Sequence, residues 1–412
     1  MKILMLNSAV YGQGFADVAS IHSGSLASEL AAKHHVCIIG QIEESIPSVD
    51  NLSVITIRAP LARWQSLYSG QNAVLAAVHR LVLVLSILHT GLVTSLRERF
   101  DVIYARHGLS SLAGALLSRL MGIPMVVEVN GVLDYEAEIF HWPKIARNLT
   151  KLIEIFVFQR TNTIVTMTKE LKNEILARFH FEDSLVNVVP NGVDTVLFSP
   201  RNKNDARNEC NIAPENKAVC FVGNLMPWHG LQNLIECAPE VLERFPDTMF
   251  VVVGDGPQKQ DLNRFVDSLG ISQAFHFTGN IPHIEVPNYV SSADVCVAPF
   301  MRARNVNTLS PLKLYEYMSC GKPIVASDIS AVRESLGKYG CGILVQPDDP
   351  RELAHAIIRI LEDSNLALRI GTEARQIALQ FFSWRTISEK ISNVCEAAIA
   401  VHVHQTNREY CI

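Results

Sequence analysis

The 412-residue sequence lacks the signatures of several common chemistries. Its nine cysteines, at 37, 210, 220, 237, 296, 320, 341, 395 and 411, form no Cys-x-x-Cys pair and have no histidine cluster beside them. That argues against a disulfide framework or a zinc site and for reduced thiols. No Gly-Lys-Ser/Thr phosphate loop occurs, no Gly-x-Ser-x-Gly, and no Asp-x-Asp in a suitable loop, which sets aside ATP hydrolysis of the P-loop kind, a serine hydrolase and a metal-bound diphosphate. Charge is sparse and balanced, with 36 Lys and Arg against 41 Asp and Glu and a net charge of -5, so nothing favours nucleic acid as a partner. No long run is free of polar residues: the most apolar, Ala73 to Val93, is interrupted by His79, Arg80 and His89. It reads as a core or membrane-surface helix and not as a span. The start, "MKILMLNSAV", has a short apolar run with no export-type flank and reads as a first strand; the cysteine usage leads to the expectation of a cytoplasmic chain.

What is present is a repeated alternation of short apolar strands and helices. The length suits two domains of about 200 residues. Strands at Ile3–Leu6, Val36–Ile39, Val54–Ile57, Val102–Tyr104, Met125–Val129, Thr163–Met167 and Val186–Val189 are separated by helical stretches, the first at about Ser23 to Lys33, with Thr168 as a helix cap. Turn residues, "PNGVD", and a polar stretch follow, placing a boundary near residue 195. The alternation then restarts with strands near 219–222, 249–253, 274–278, 295–299 and 324–326 and ends in three helices, the last from Trp384. The pattern predicts an α/β architecture of parallel, doubly wound sheets. Gly12-Gln13-Gly14 suggests a dinucleotide fingerprint, but the third glycine position is Asp17; Gly14 can still let backbone approach a ligand.

The stretch "TLSPLKLYEYMSCGKPIVASD", Thr308 to Asp328, is central to the function. Ser310 reads as an N-cap and Pro311 as the first helical residue; Leu312, Tyr315 and Met318 form an apolar face, and Gly321 with Pro323 ends the helix before a strand. Lys313 falls in the first turn, where the helix dipole disfavours a cation unless an anion binds. Glu316, one turn on, can accept hydrogen bonds from sugar hydroxyls; the alternative is a Lys313–Glu316 surface pair. Two further loops at strand ends, Gly223 to Gly230 with Asn224 and His229, and Gly254-Asp255-Gly256, bring backbone amides and close approach to the same half. In the first half His107, Glu128 and Asn130 follow strands, at the ends where open parallel sheets bind ligands.

These segments together resemble the retaining nucleotide-sugar transferases of glycosyltransferase family 4, which have the GT-B fold. "NVVPNGVDTVLFSP" is similar to the family's interdomain segment, "FVGNLMPWHGLQNLIECA" to its phosphate loop, "VVVGDGP" and "FHFTGNIPHIEVPNYVSSADVCVAPF" to the parts flanking the base, and "SPLKLYEYMSCGKPIVASD" to its glutamate-containing helix. The resemblance implies two Rossmann-like domains facing a central cleft: residues 1–195 on the acceptor side, joined by a helix over 384–412 that packs back on them, and 196–383 on the donor side. Glu316 would hold the ribose, the amides around Ser310, Pro311 and Leu312 the donor sugar or diphosphate, and Asn280 and Ile281 would bracket the base. The sequence departs from the family where Asn224 and His229 stand for its phosphate-loop Arg and Lys, Thr308 for its first glutamate, and Asn130 for a histidine. Lys313 would replace the missing cations.

The activity implied is metal-independent, cofactor-free transfer with retention from a nucleotide sugar to an acceptor hydroxyl, with UDP favoured over GDP. The acceptor would be a glycan, a lipid-linked sugar or a small molecule. The apolar stretch 60–100 would either touch the inner face of a membrane or pack as an ordinary helical insertion. The rival readings are an epimerase or a phosphorylase on the same architecture, and a non-catalytic partner that keeps the fold.

Overall fold

The computed structural model describes residues 1–7, 15–41, 49–57, 73–131, 144–302 and 310–409. The expectations for Gly12, Gly14, Thr308 and residues 60–72 lie outside these residues. The chain divides into two units, Met1–Asn191 with Trp384–Ile412, and Gly192–Ser383.

In the first unit β1 (Lys2–Asn7), β2 (His35–Gly40), β3 (Leu52–Thr56), β4 (Val102–Arg106), β5 (Met125–Val129), β6 (Thr163–Thr166) and β7 (Val186–Val188) form a parallel sheet in the order β3-β2-β1-β4-β5-β6-β7. The strands are apolar on both faces because both faces are covered, as a parallel sheet requires. Leu4, Leu6, Ile103 and Val127 pack under the helices Ala73–Arg97, Leu109–Met121 and Lys144–Phe158. Ile3, Met5 and Val126 pack on the other face under Phe15–Ala31 and the C-terminal helix Trp384–Glu409. Thr168 caps its helix, its hydroxyl accepting from Leu171 N at 3.2 Å.

The second unit repeats the plan with β8 (Ala218–Val222), β9 (Met249–Val253), β10 (Phe275–Gly279), β11 (Val295–Ala298), β12 (Ile324–Ser327) and β13 (Ile343–Val345), ordered β10-β9-β8-β11-β12-β13. In each sheet the strand order reverses beside the first strand, between β1 and β4 and between β8 and β11. Crevices at the carboxyl ends of such strands are where open α/β sheets take ligands.

Local readings are corrected in two places. The first helix starts at Phe15 and not near Ser23. The polar stretch after residue 200 is no linker: Asn202 caps a helix, Lys203–Glu209, whose Arg207 is buried and donates to Asp294 at 2.8 Å and Ser292 O at 3.1 Å. Charges that look solvent-exposed in sequence are here consumed in internal pairs, which a single sequence does not reveal.

One side chain ties the second unit together. Arg375 donates to Phe198 O at 3.0 Å, Ser319 O at 2.6 Å, Ser319 Oγ at 2.9 Å and Thr195 O at 3.1 Å. A cation at the end of the helix Leu312–Ser319 also complements its dipole. Arg375→Met keeps the stem but strands several carbonyls, so it should cost about 2 kcal/mol, read as a lower urea midpoint at unchanged m-value.

Candidate functional site

The site in the second unit is built from the ends of β8 and β9 and the start of the Leu312–Ser319 helix. That helix is buried through Leu314, Tyr315, Tyr317 and Met318, and Tyr317 Oη accepts from Val222 N at 2.7 Å, so its position is fixed to the last residue of β8. The next residue, Gly223, has φ of 140°, and a Cβ there would stand 2.7 Å from Lys313 Nζ. Gly254 has φ of 128°, and a Cβ there would meet Gly223 O at 2.2 Å. Glycine at both positions lets the two loops close on each other and leaves room for the lysine head group. Gly256 lies against the backbone of Leu225, whose amide donates to Asp255 O at 2.9 Å.

The helix begins one residue later than expected. Pro311, with extended ψ of 97°, is the N-cap and Leu312 the first helical residue; no side chain caps the turn, and the Ser310 hydroxyl instead lies 3.4 Å from that of Tyr315. The surface-pair reading of Lys313 and Glu316 is also overturned. Lys313 is 8 % exposed, its Nζ 3.9 Å from the centre of the Phe221 ring and 5.4 Å from that of Phe300. Among the described residues Nζ has no hydrogen-bond partner. Burial pushes its pKa down to about 7, the charge of Glu316 acting the other way. Ring faces attract an ammonium but replace only part of its lost hydration.

Asn224 and His229 supply no charge. His229 Nδ1 is hydrogen-bonded to the Asn224 carbonyl, which can only accept, so this nitrogen carries the proton. Burial, then Lys313, holds the imidazole well below its ordinary pKa, and it is neutral at pH 7. Glu316 Oε1 lies 3.2 Å from His283 Nε2. Asn280 is exposed and Ile281 packs at the edge of the core.

A second cluster occupies the first unit. Glu128, at the end of β5, is buried, with Tyr104 Oη donating to Oε2 at 2.5 Å and Asn130 Nδ2 to Oε1 at 2.7 Å. Burial alone would raise its pKa, but His22, Arg106 and the hydrogen bonds from Tyr104 and Asn130 hold it below the usual carboxylate value. Burial pushes His22 to about 4 despite the pull of Glu128, so at pH 7 the positive charge there is that of Arg106. Arg106 Nη1 lies 3.3 Å from His22 Nδ1, which must then be the unprotonated nitrogen. Trp384 of the C-terminal helix meets the His22 ring edge-on, 4.9 Å between centroids.

The structure therefore brings Glu128 and Asn130 together but not His107. The His107 amide donates to Glu128 O at 2.7 Å, while its ring stacks on Phe158 and bonds Glu154 Oε1 at 3.0 Å. Sequence reasoning missed His22, Tyr104, Glu154 and His283. Each comes from an element remote in sequence from its partner, and no local spacing marks them.

The comparisons with known proteins bear on both units. Residues 19–197 match the family model described as Glycosyltransferase Family 4, and residues 202–377 match Glycosyl transferases group 1. The chain belongs to the group 1 glycosyltransferases. This glycosyltransferase is 26 % identical over 349 residues to a 2-deoxystreptamine glucosyltransferase of Streptomyces kanamyceticus, covering 82 % of this chain and 87 % of the relative. It is 26 % identical over 275 residues to an Escherichia coli UDP-Gal:alpha-D-GlcNAc-diphosphoundecaprenol alpha-1,3-galactosyltransferase, covering 66 % and 68 %. Among solved structures, sucrose-phosphate synthase of Thermosynechococcus elongatus superposes with a TM-score of 0.76 at 20 % identity over 97 % of this chain and 99 % of that one. Anabaena HepE with UDP-glucose gives 0.70 at 21 % identity over 96 % and 100 %. The fold is that of the GT-B glycosyltransferases.

An unpaired buried amine weakens the fold that holds it. Because the folded-state pKa lies below the ordinary lysine value, the unfolded chain binds more protons from about pH 7 to about 10.5, and stability rises with pH across that window. Lys313→Met should therefore raise the melting temperature at pH 7, with the gain shrinking toward pH 10, as read by thermal unfolding at several pH values.

Proposed function

We propose that the enzyme transfers a sugar from a UDP-sugar to an acceptor hydroxyl with retention of configuration, without a metal or other cofactor. The observation that carries this reading is the Lys313 ammonium, without a hydrogen-bond partner among the described residues and buried at the start of a helix, beside a loop that glycine alone can shape. A helix N-terminus supplies outward-pointing amides and a favourable dipole for an anion, and Lys313 adds the charge that Asn224 and His229 do not.

In this reading Leu312 and Lys313 meet the diphosphate, Ser310 and Pro311 shape the approach, and Glu316 receives the ribose hydroxyls. Gly223, Gly254 and Gly256 bring backbone close to the ligand, and Asn280 and Ile281 flank the base. The acceptor oxygen bonds to the anomeric carbon as the bond from that carbon to the phosphate oxygen breaks. The departing oxygen takes the acceptor's proton from the same face, and its developing charge is met by preorganised donors. The first unit would take the acceptor. Asn130, its amide nitrogen committed to Glu128, would offer its oxygen, and Glu128, with both oxygens engaged, would position Asn130. The choice of UDP is supported by the Anabaena structures, solved with UDP and UDP-glucose, and by the name of the E. coli relative.

Lys313→Ala should lower kcat/KM in UDP release by more than tenfold; a loss under threefold, worth less than ~1 kcal/mol of barrier, would refute the assignment. UDP-sugar affinity should be flat below about pH 6 and weaken by up to tenfold per unit above about pH 7, because the anion selects the protonated amine and pays for its protonation once the free amine is neutral. Isothermal titration across pH checks this.

A lipid-linked acceptor at a membrane surface is favoured by one observation. The helices Ala73–Arg97 and Lys144–Phe158 lie on the same sheet face and expose Val78, Leu81, Leu85, Leu149 and Leu152. They carry Arg80, Lys144, Arg147 and Lys151, whereas the acid between them, Glu154, is buried against His107. Apolar side chains with basic neighbours suit an anionic bilayer surface. The enzyme should sediment with anionic vesicles and Leu149→Glu with Leu152→Glu should not; a wild type left in the supernatant would end this reading.

A further inference from the structure

The contact between His283 and Glu316 gives Glu316 a fixed orientation that its helix alone does not. Glu316 lies near the middle of the Leu312–Ser319 helix with its carboxylate 15 % exposed, and a glutamate there has three rotatable bonds through which to stray. His283 comes from a different element, the short turn His283–Glu285 that follows Pro282 beyond β10. Its Nε2 lies 3.2 Å from Glu316 Oε1, and since an ionised carboxylate can only accept, Nε2 carries the proton. Phe198, fully buried, backs the imidazole with 5.1 Å between centroids. Phe198 is itself held by its carbonyl, which accepts from Ser319 Oγ at 2.6 Å and from Arg375. The turn, the aromatic support and the carboxylate thus form a chain of contacts that ends at Glu316.

We propose that His283 is a positioning residue for nucleotide binding: its Nε2–H fixes Glu316 through Oε1 and leaves Oε2 to accept from the vicinal hydroxyls of a ribose. This rests on the reading that Glu316 receives those hydroxyls. One lone pair of Oε1 is occupied by the imidazole, so the ligand meets a carboxylate already restricted to one rotamer. The ordering that a free glutamate would undergo on binding is complete beforehand. Burial of His283 opposes its protonation, but the hydrogen bond to Glu316 and the charges of Glu316 and Asp194 raise its pKa overall, which strengthens the same contact. His283 is not assigned any contact with the reacting atoms.

The test is a binding cycle by isothermal titration with UDP and with 2′,3′-dideoxyuridine diphosphate, on wild type, His283→Ala, His283→Gln and Glu316→Ala, each first checked for cooperative thermal unfolding. His283→Ala should weaken UDP binding by about tenfold, and His283→Gln, whose amide can donate to the same carboxylate, should restore most of it. The dideoxy nucleotide should bind wild type and His283→Ala alike, because the hydroxyls through which His283 acts are missing. A loss of equal size for both nucleotides, or no loss with UDP, overturns the role of His283 provided that Glu316→Ala weakens UDP. If Glu316→Ala leaves UDP affinity unchanged, the ribose reading itself has failed.

Discussion

A buried lysine amine with no hydrogen-bond partner among the described residues is the constraint on which the second unit depends. Removing an ammonium from water is costly unless something replaces its hydration, and around Lys313 the replacements are two ring faces, of Phe221 and Phe300. Much of the neighbouring architecture follows from accommodating that group. Gly223 must lack a side chain for Nζ to fit, Gly254 must lack one for the Gly223 loop to close, and Tyr317 reaches back to the Val222 amide to hold the helix against the strand. A site in which every polar group is already satisfied has little reason to bind an anion. This one retains an unmet demand.

The first unit shows the opposite arrangement. Glu128 is as deeply buried as Lys313, yet both its oxygens accept short hydrogen bonds and an arginine stands close by. A buried charge that is fully paired rigidifies its surroundings and is poorly placed to act as a base. Both clusters lie at carboxyl ends of strands beside the point where the sheet order reverses. The same topology thus offers two corresponding positions, one filled by paired charges and the other by an amine without a hydrogen-bond partner among the described residues.

The architecture was legible in the sequence because parallel strands buried on both faces are short apolar runs. Met125–Val129 and Met249–Val253 stand where the pattern puts them. Gly223, Gly254 and Lys313 could be singled out because strand-end glycines and a first-turn cation break local preferences. What could not be read was polar pairing across distance. Arg207 with Asp294, His22 with Glu128, and His283 with Glu316 join residues far apart in sequence, and no periodicity encodes them. For the same reason His107 looked like a companion of Glu128, although its ring goes to Glu154. Alternation along a strand or helix says which face a side chain occupies, not which partner waits there.

The first unit is assembled from two stretches far apart in the sequence, since Trp384, Ile387 and Ile391 complete the core begun by Ile3 and Met5. On the ribosome this order matters. Residues 192–383 emerge as a contiguous stretch and can condense as soon as they clear the exit tunnel. The earlier-made residues keep the His22 side of their sheet uncovered until the helix Trp384–Glu409 is translated. An earlier-made stretch thus depends on a later-made one to close its core, whereas residues 192–383 need no such return.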